Sequence, residues 1–211
     1  MSDKTETLLS ILKSQPVMPV LIIERVEDAV PLARALAAGG LKAIEVTLRT
    51  PVALEAIRAI AEGSPDTLVG AGTILSPEDY VAAVKAGSKF IVSPGATPAL
   101  FAAAKASDVP FLPGTSSASE IMLAREAGLR VVKFFPAEQS GGAPFLKAIS
   151  SPIADMKFCP TGGISLKNAN DYLSLPNVVC VGGSWVAPKD MVVAGDWAGI
   201  TKLAAEAAAL R

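Results

Sequence analysis

The strongest constraint on the fold of this chain is an alternation that recurs along it. Short β-branched runs take turns with Ala/Leu-rich stretches of helical period, without a composition break or a long linker. Eight runs read as strands: VMPVLII, KAIEVTL, TLVGAG, KFIVSP, VPFLP, RVVKFF, MKFCPT and NVVCVG. Between them, EDAVPLARALAAGG, PVALEAIRAIAEG, SPEDYVAAVKAG, TPALFAAAKAS and SASEIMLAREAG read as helices, several opening on Ser, Thr or Pro and closing on Gly. At about 20 to 25 residues per unit, this is an α/β chain expected to form one (β/α)8 TIM barrel domain over residues 1–211. A doubly wound open sheet is the alternative, and its dinucleotide fingerprint G-x-G-x-x-G is missing from the first turn, IIERVED. An extra amphipathic helix is expected before the first strand, at about residues 4–14, with Leu8, Leu9, Ile11 and Leu12 on its apolar side.

Charge narrows the partners. Lys and Arg number 19 against 20 Asp and Glu, with no basic block, so neither nucleic acid nor an anionic membrane is an expected partner and small molecules are. The N-terminal stretch lacks the apolar centre of a signal peptide, and no apolar run approaches the roughly 18 residues of a membrane span. A cytoplasmic location is expected on that basis. Cys159 and Cys180 lie in strand-like runs rather than in a metal or redox spacing, and read as inert core thiols.

The chain contains no histidine. That removes the serine–histidine triad, the histidine general base and every histidine-ligated zinc site. Chemistry here must use Lys, Arg, Glu, Asp, Ser, Thr, Cys or Tyr.

The polar residues inside strands are then the candidates. Side chains alternate along a strand, one face toward the bore of a barrel and the other under the helices. In the second strand Ile44, Val46 and Leu48 form the apolar, helix-facing set, which turns Glu45 and Arg49 toward the bore or its mouth. In VVKFFP, Lys133 shares a face with Val131 and Phe135, and Thr73 and Thr161 fall near the same rim. Carboxyl ends of strands are where barrel enzymes build active sites. Residue by residue, the plain structural readings also stand: a structural ion pair or solvated loop edge for Glu45 and Arg49, and a snorkelling lysine for Lys133.

Glycine pairs follow the last two strands, in PTGGIS and VGGSWV. Glycine lets backbone N–H groups approach an anion closely, and loops after the seventh and eighth strands are the usual phosphate site of a barrel, so a phosphate ester is the predicted ligand.

Taken together, EVTLRT, GAGT, SPG, KFFPAE, PTGGIS and GGSW resemble the motifs, in order, of the 2-keto-3-deoxy-6-phosphogluconate (KDPG) and 4-hydroxy-2-oxoglutarate (KHG) aldolases, over nearly the whole chain. The resemblance implies a homotrimeric (β/α)8 barrel and a class I, metal-independent lyase of the Entner–Doudoroff pathway, with no metal and no cofactor. Such an enzyme cleaves KDPG to pyruvate and glyceraldehyde 3-phosphate, and in many members KHG to pyruvate and glyoxylate. It implies Lys133 as the Schiff-base lysine and Glu45 as the general acid/base. Arg49 and Thr73 would bind the pyruvoyl carboxylate, Pro94, Phe135 and Thr161 would line the pocket, and Gly162, Gly163, Gly183 and Ser184 would seat the phosphate. The competing enzyme reading is an isomerase or synthase on the same barrel, acting on a sugar phosphate with Lys and Glu as non-covalent acid and base. A barrel that only binds a sugar phosphate, or serves as an oligomeric scaffold, is the third.

Overall fold

The computed structural model describes residues 3–210, so residues 1, 2 and 211 of the expected domain lie outside the described residues. Its strands are β1 (Val17–Leu21), β2 (Ala43–Thr47), β3 (Leu68–Gly72), β4 (Ile91–Val92), β5 (Phe111–Leu112), β6 (Gly114–Thr115), β7 (Val131–Phe134), β8 (Lys157–Pro160) and β9 (Val181–Gly183). The helices are α1 (Asp3–Lys13), α2 (Val26–Ala38), α3 (Ala53–Gly63), α4 (Pro77–Lys85), α5 (Pro98–Ala106), α6 (Ala118–Glu126), α7 (Gly142–Ile149), α8 (Ala169–Leu173), α9 (Lys189–Ala194) and α10 (Trp197–Ala208).

Every strand pairing is parallel, and the strands run in the orders β5-β4-β3-β2-β1-β9 and β6-β7-β8. The two sheets meet at both margins. Thr161 bridges Gly182 on one side, and on the other only Pro113 separates β5 from β6. The result is an α/β fold with a curled parallel sheet.

Two differences from the predicted strands have local causes. VPFLP is interrupted at Pro113, which has no N–H to give a ladder, so its strand divides into β5 and β6. NVVCVG begins pairing late because Val179 and Cys180 are consecutive yet both face the inner core, while Val178 and Val181 face the helices. From Phe158 to Thr161 the chain advances three residues while its partner advances four, from Val178 to Gly182, which is the signature of a bulge.

Parity sorts the interior into two cores. Ile44, Val46, Val132 and Phe134 pack with α2, α3 and their neighbours, whereas Ala43, Phe90, Leu112, Val131, Cys159 and Cys180 face inward. Leu8, Leu9, Ile11 and Leu12 of α1 join that inner core, so the first helix closes the end of the sheet opposite the strand carboxyl termini. Gln15 fastens it, with Nε2 donating to the Val17 and Ala43 carbonyls at 2.7 Å and Oε1 accepting from Ala43 N at 2.8 Å. Helix starts follow the sequence signals. Ser76 and Ser117 form capping boxes with Asp79 and Glu120, and Thr97 caps α5. Among the described residues, no helix is long and apolar enough to cross a membrane.

Candidate active site

Lys133 is the third residue of β7 and points inward, as its parity with Val131 requires. Its backbone is fixed along the β6 edge: Lys133 N donates to the Pro113 carbonyl, and Thr115 Oγ1 donates to the Lys133 carbonyl at 3.1 Å. From the facing part of the curled sheet, β2 brings in Glu45. The two side chains meet with Nζ 3.5 Å from Oε1, and both residues are under 5% exposed. Phe135 adds an aromatic face, with Nζ 5.0 Å from the ring centroid. Burying either charge alone would be costly, so the pair and the ring are what make this placement tolerable.

Glu45 fits because β3 is bare where it passes. A Cβ built on Gly72 would overlap the Glu45 carboxylate, and one on Gly70 would overlap the Phe90 ring. The inward glycines of GAGT thus leave room inside the curled sheet for a carboxylate and an aromatic ring.

Just past β3, Thr73 has a φ of +59°, an uncommon left-handed conformation for a β-branched residue that costs about 1–3 kcal/mol. The strain presents Thr73 Oγ1 to Arg49, whose Nε donates to it at 3.0 Å. Arg49 is thereby set at the mouth with its remaining guanidinium donors available for a carboxylate, which a planar fork can take in two parallel bonds.

On the other side of Phe135 from Lys133 and Glu45 lies a cavity of about 800 Å³, whose lining includes Arg49, Phe135, Thr161, Gly162, Gly163 and Ser184. Gly183 is also on its wall. Most of the residues singled out in the sequence therefore converge on one place. Lys133, Glu45, Thr73 and Pro94 are not on its wall: Lys133 and Glu45 adjoin it through Phe135, Thr73 reaches it through Arg49, and the Pro94 carbonyl lies against Gly114, the strand partner of Lys133. Gly162 and Gly163 both have positive φ, +104° and +76°, a turn that side-chain-bearing residues seldom adopt. Among the described residues no three His, Cys, Asp or Glu side chains come together in a way that could hold a metal ion.

The sequence reading missed the charged rim opposite the glycines. Arg25 Nε and Nη2 donate to the two Asp28 carboxylate oxygens at 2.8 and 2.7 Å, and Lys189 Nζ pairs with Glu24 Oε1 at 2.7 Å. The Asp28 hydrogen bond and charge raise the Arg25 pKa above its usual value. All four residues line the cavity, as do Ile22 and Trp185. The signal available was the ERVED segment at the carboxyl end of the first strand, where a barrel puts rim residues.

The same arrangement of chain recurs in known proteins. The family model for KDPG and KHG aldolase matches residues 8–203. The KHG/KDPG aldolase of Escherichia coli (strain K12) is 51% identical over 198 residues, covering 94% of this chain and 93% of that one. The 2-dehydro-3-deoxy-phosphogluconate aldolase of Dickeya dadantii (strain 3937) is 52% identical over 199 residues, with 94% and 93% covered. Among solved structures, the KDPG aldolase of Legionella pneumophila with pyruvate captured at low pH as a covalent carbinolamine intermediate superposes with a TM-score of 0.93. It is 46% identical, and the match covers 95% of this chain and 98% of that one. The aldolase of Zymomonas mobilis ZM4 with 3-phosphoglycerate has a TM-score of 0.94 at 48% identity, covering 98% and 97%. Sequence and fold agree over nearly the full length, and the chain belongs to the KDPG and KHG aldolase family.

Proposed function

We propose that this protein is a class I aldolase, a lyase that cleaves KDPG to pyruvate and glyceraldehyde 3-phosphate and KHG to pyruvate and glyoxylate. The observation that carries the reading is the buried Lys133–Glu45 pair, Nζ to Oε1 3.5 Å, next to Phe135 on the wall of a cavity flanked by a guanidinium and a glycine turn.

In this reading Lys133 gives a proton to Glu45, the one carboxylate within 4 Å of Nζ among the described residues, and the neutral amine attacks the C2 ketone. A carbinolamine forms, Glu45 gives its proton to the carbinolamine hydroxyl, and water leaves to give an iminium. Glu45, its proton passed on, takes the proton of the C4 hydroxyl, and the C3–C4 bond breaks. The aldehyde departs while the bonding electrons move through C2 to the nitrogen, giving an enamine. Protonation at C3 restores the iminium, and water releases pyruvate and the free lysine. No metal is needed for this chemistry, because the iminium is itself the electron sink.

Arg49, held by Thr73, grips the pyruvoyl carboxylate, and Phe135, Thr161 and Pro94 shape the space around the reacting carbons. Gly162, Gly163, Gly183 and Ser184 receive the distal phosphate, at the place where barrels bind phosphate. The scaffold in this proposal is one (β/α)8 barrel domain, with β5 and β6 as two parts of a single strand and α1 as the extra helix. Assembly as a homotrimer, a place in the cytoplasm and a role in the Entner–Doudoroff pathway belong to the same proposal and rest on family membership.

Pyruvate release measured in a coupled assay, with KDPG and KHG supplied separately, tests the reading. Turnover of KDPG is expected, and inactivity on both acids would overturn it.

A further inference from the structure

The turn that would receive the phosphate is held from behind by three donors in a row. Ala137 N donates to the Thr161 carbonyl at 2.8 Å, and Glu138 N donates to the Gly162 carbonyl at 3.1 Å. The third carbonyl, that of Gly163, accepts from Asn168 Nδ2 at 3.2 Å. A trans peptide carries its N–H opposite its C=O. With these three carbonyls turned to the donors, the N–H groups of Gly162, Gly163 and Ile164 point the other way, and all three residues line the cavity. Two of the three planes are set by backbone donors. Only the Gly163–Ile164 plane is set by a side chain.

The Asn168 amide has its orientation fixed by a second bond. Ser165 N donates to Oδ1 at 2.8 Å, which leaves Nδ2 for the Gly163 carbonyl. The turn has little freedom on its other side, because a Cβ on Gly163 would stand 2.6 Å from Glu138 Cγ. Glu138 in turn accepts a short hydrogen bond from the buried Tyr172 hydroxyl on α8, so its carboxylate is engaged there rather than on the cavity wall.

We propose that Asn168 is a positioning residue for the phosphate-bearing end of the substrate: it keeps the Gly163 carbonyl out of the cavity and the Ile164 N–H directed into it. Asn168 touches no substrate itself. The inference rests on the aldolase reading and deepens it, assigning specificity for the phosphorylated over the unphosphorylated acid to a residue outside the cavity wall.

The test uses two variants of the full chain. Asn168→Asp keeps the acceptor for Ser165 N and replaces the donor with an oxygen, and Asn168→Ala removes the donor without adding charge. In both, KM for KDPG is expected to rise about tenfold, as for loss of a hydrogen bond to a charged group, with kcat changed less than about twofold. KM for KHG, which has no phosphate, is expected to stay within about twofold. Inorganic phosphate binding by calorimetry reads the same turn without turnover and should weaken by the same factor. Equal KM changes for both acids, or phosphate binding equal to that of the parent protein, would overturn the role given to Asn168. A parent protein that binds phosphate but cleaves neither acid would overturn the aldolase reading and leave the phosphate titration to decide on Asn168.

Discussion

Lys133 Nζ and Glu45 Oε1 lie 3.5 Å apart, inside the sheet and away from solvent. A cation and a carboxylate placed there can exchange a proton without water. Glu45→Gln is expected to keep the shape of the site and lose that exchange. Its kcat for KDPG cleavage should fall by about 10²- to 10⁴-fold, the range for loss of a general acid/base, while Lys133 still forms an adduct with pyruvate, more slowly because its proton must leave by another route. Retained turnover in a steady-state assay would remove Glu45 from the acid/base role.

Gly72 makes room for that carboxylate, so Gly72→Ala should act on Glu45 through space alone. The new methyl group would push the carboxylate off Lys133. Overpacking of this kind costs about 1–3 kcal/mol. The variant is therefore expected to fold, with a near-native circular dichroism spectrum, and to show a kcat reduced as strongly as in Glu45→Gln.

Thr73 trades backbone strain for the position of Arg49. In Thr73→Gly the left-handed conformation becomes easy, a gain of about 1–3 kcal/mol against about 0.4–1 kcal/mol of added unfolded-chain entropy. Thermal melts should show an equal or higher Tm. Arg49 loses its 3.0 Å partner, and KM for substrates bearing the pyruvoyl carboxylate should rise several-fold. A lower Tm with unchanged KM would mean that Thr73 is structural.

Much of this was legible in the sequence because parity is a strict rule. Glu45 could be turned inward from the alternation of its neighbours, an inward Lys133 was allowed by its parity with Val131 and Phe135, and the two cores divide at Val131/Val132 and Ala43/Ile44 as alternation requires. The bulge at Val179 and Cys180 was not legible, since VVCV offers only small apolar residues and no marker of which two share a face. Nor was the part played by Asn168, which acts through a carbonyl of the glycine turn and has a composition signal no different from any helix start. The charged rim of Glu24, Arg25, Asp28 and Lys189 joins segments far apart in sequence, and each half alone reads as ordinary surface.

Tyr80 gives the fold an alkaline limit. Its ring is buried and its hydroxyl donates to the Val109 carbonyl at 2.7 Å. Burial raises its pKa from 10.0 to about 12. Below the lower value both folded and unfolded chains hold the proton, and between the two only the folded chain keeps it. Stability is thus fully present below pH 10.0 and declines as pH rises toward 12. Tyr172 is shifted upward too, chiefly by burial, and adds in the same direction. Urea midpoints measured across this window should fall with pH, and less steeply in Tyr80→Phe. Equal slopes in the two proteins would contradict this.

The central claim is that Lys133 forms the covalent bond to substrate. Incubation of the protein with pyruvate and borohydride, followed by peptide mass spectrometry, tests it directly. A single reduced pyruvate adduct on Lys133, within VVKFFP, is the predicted result; no adduct, or one on a different lysine, would contradict the account.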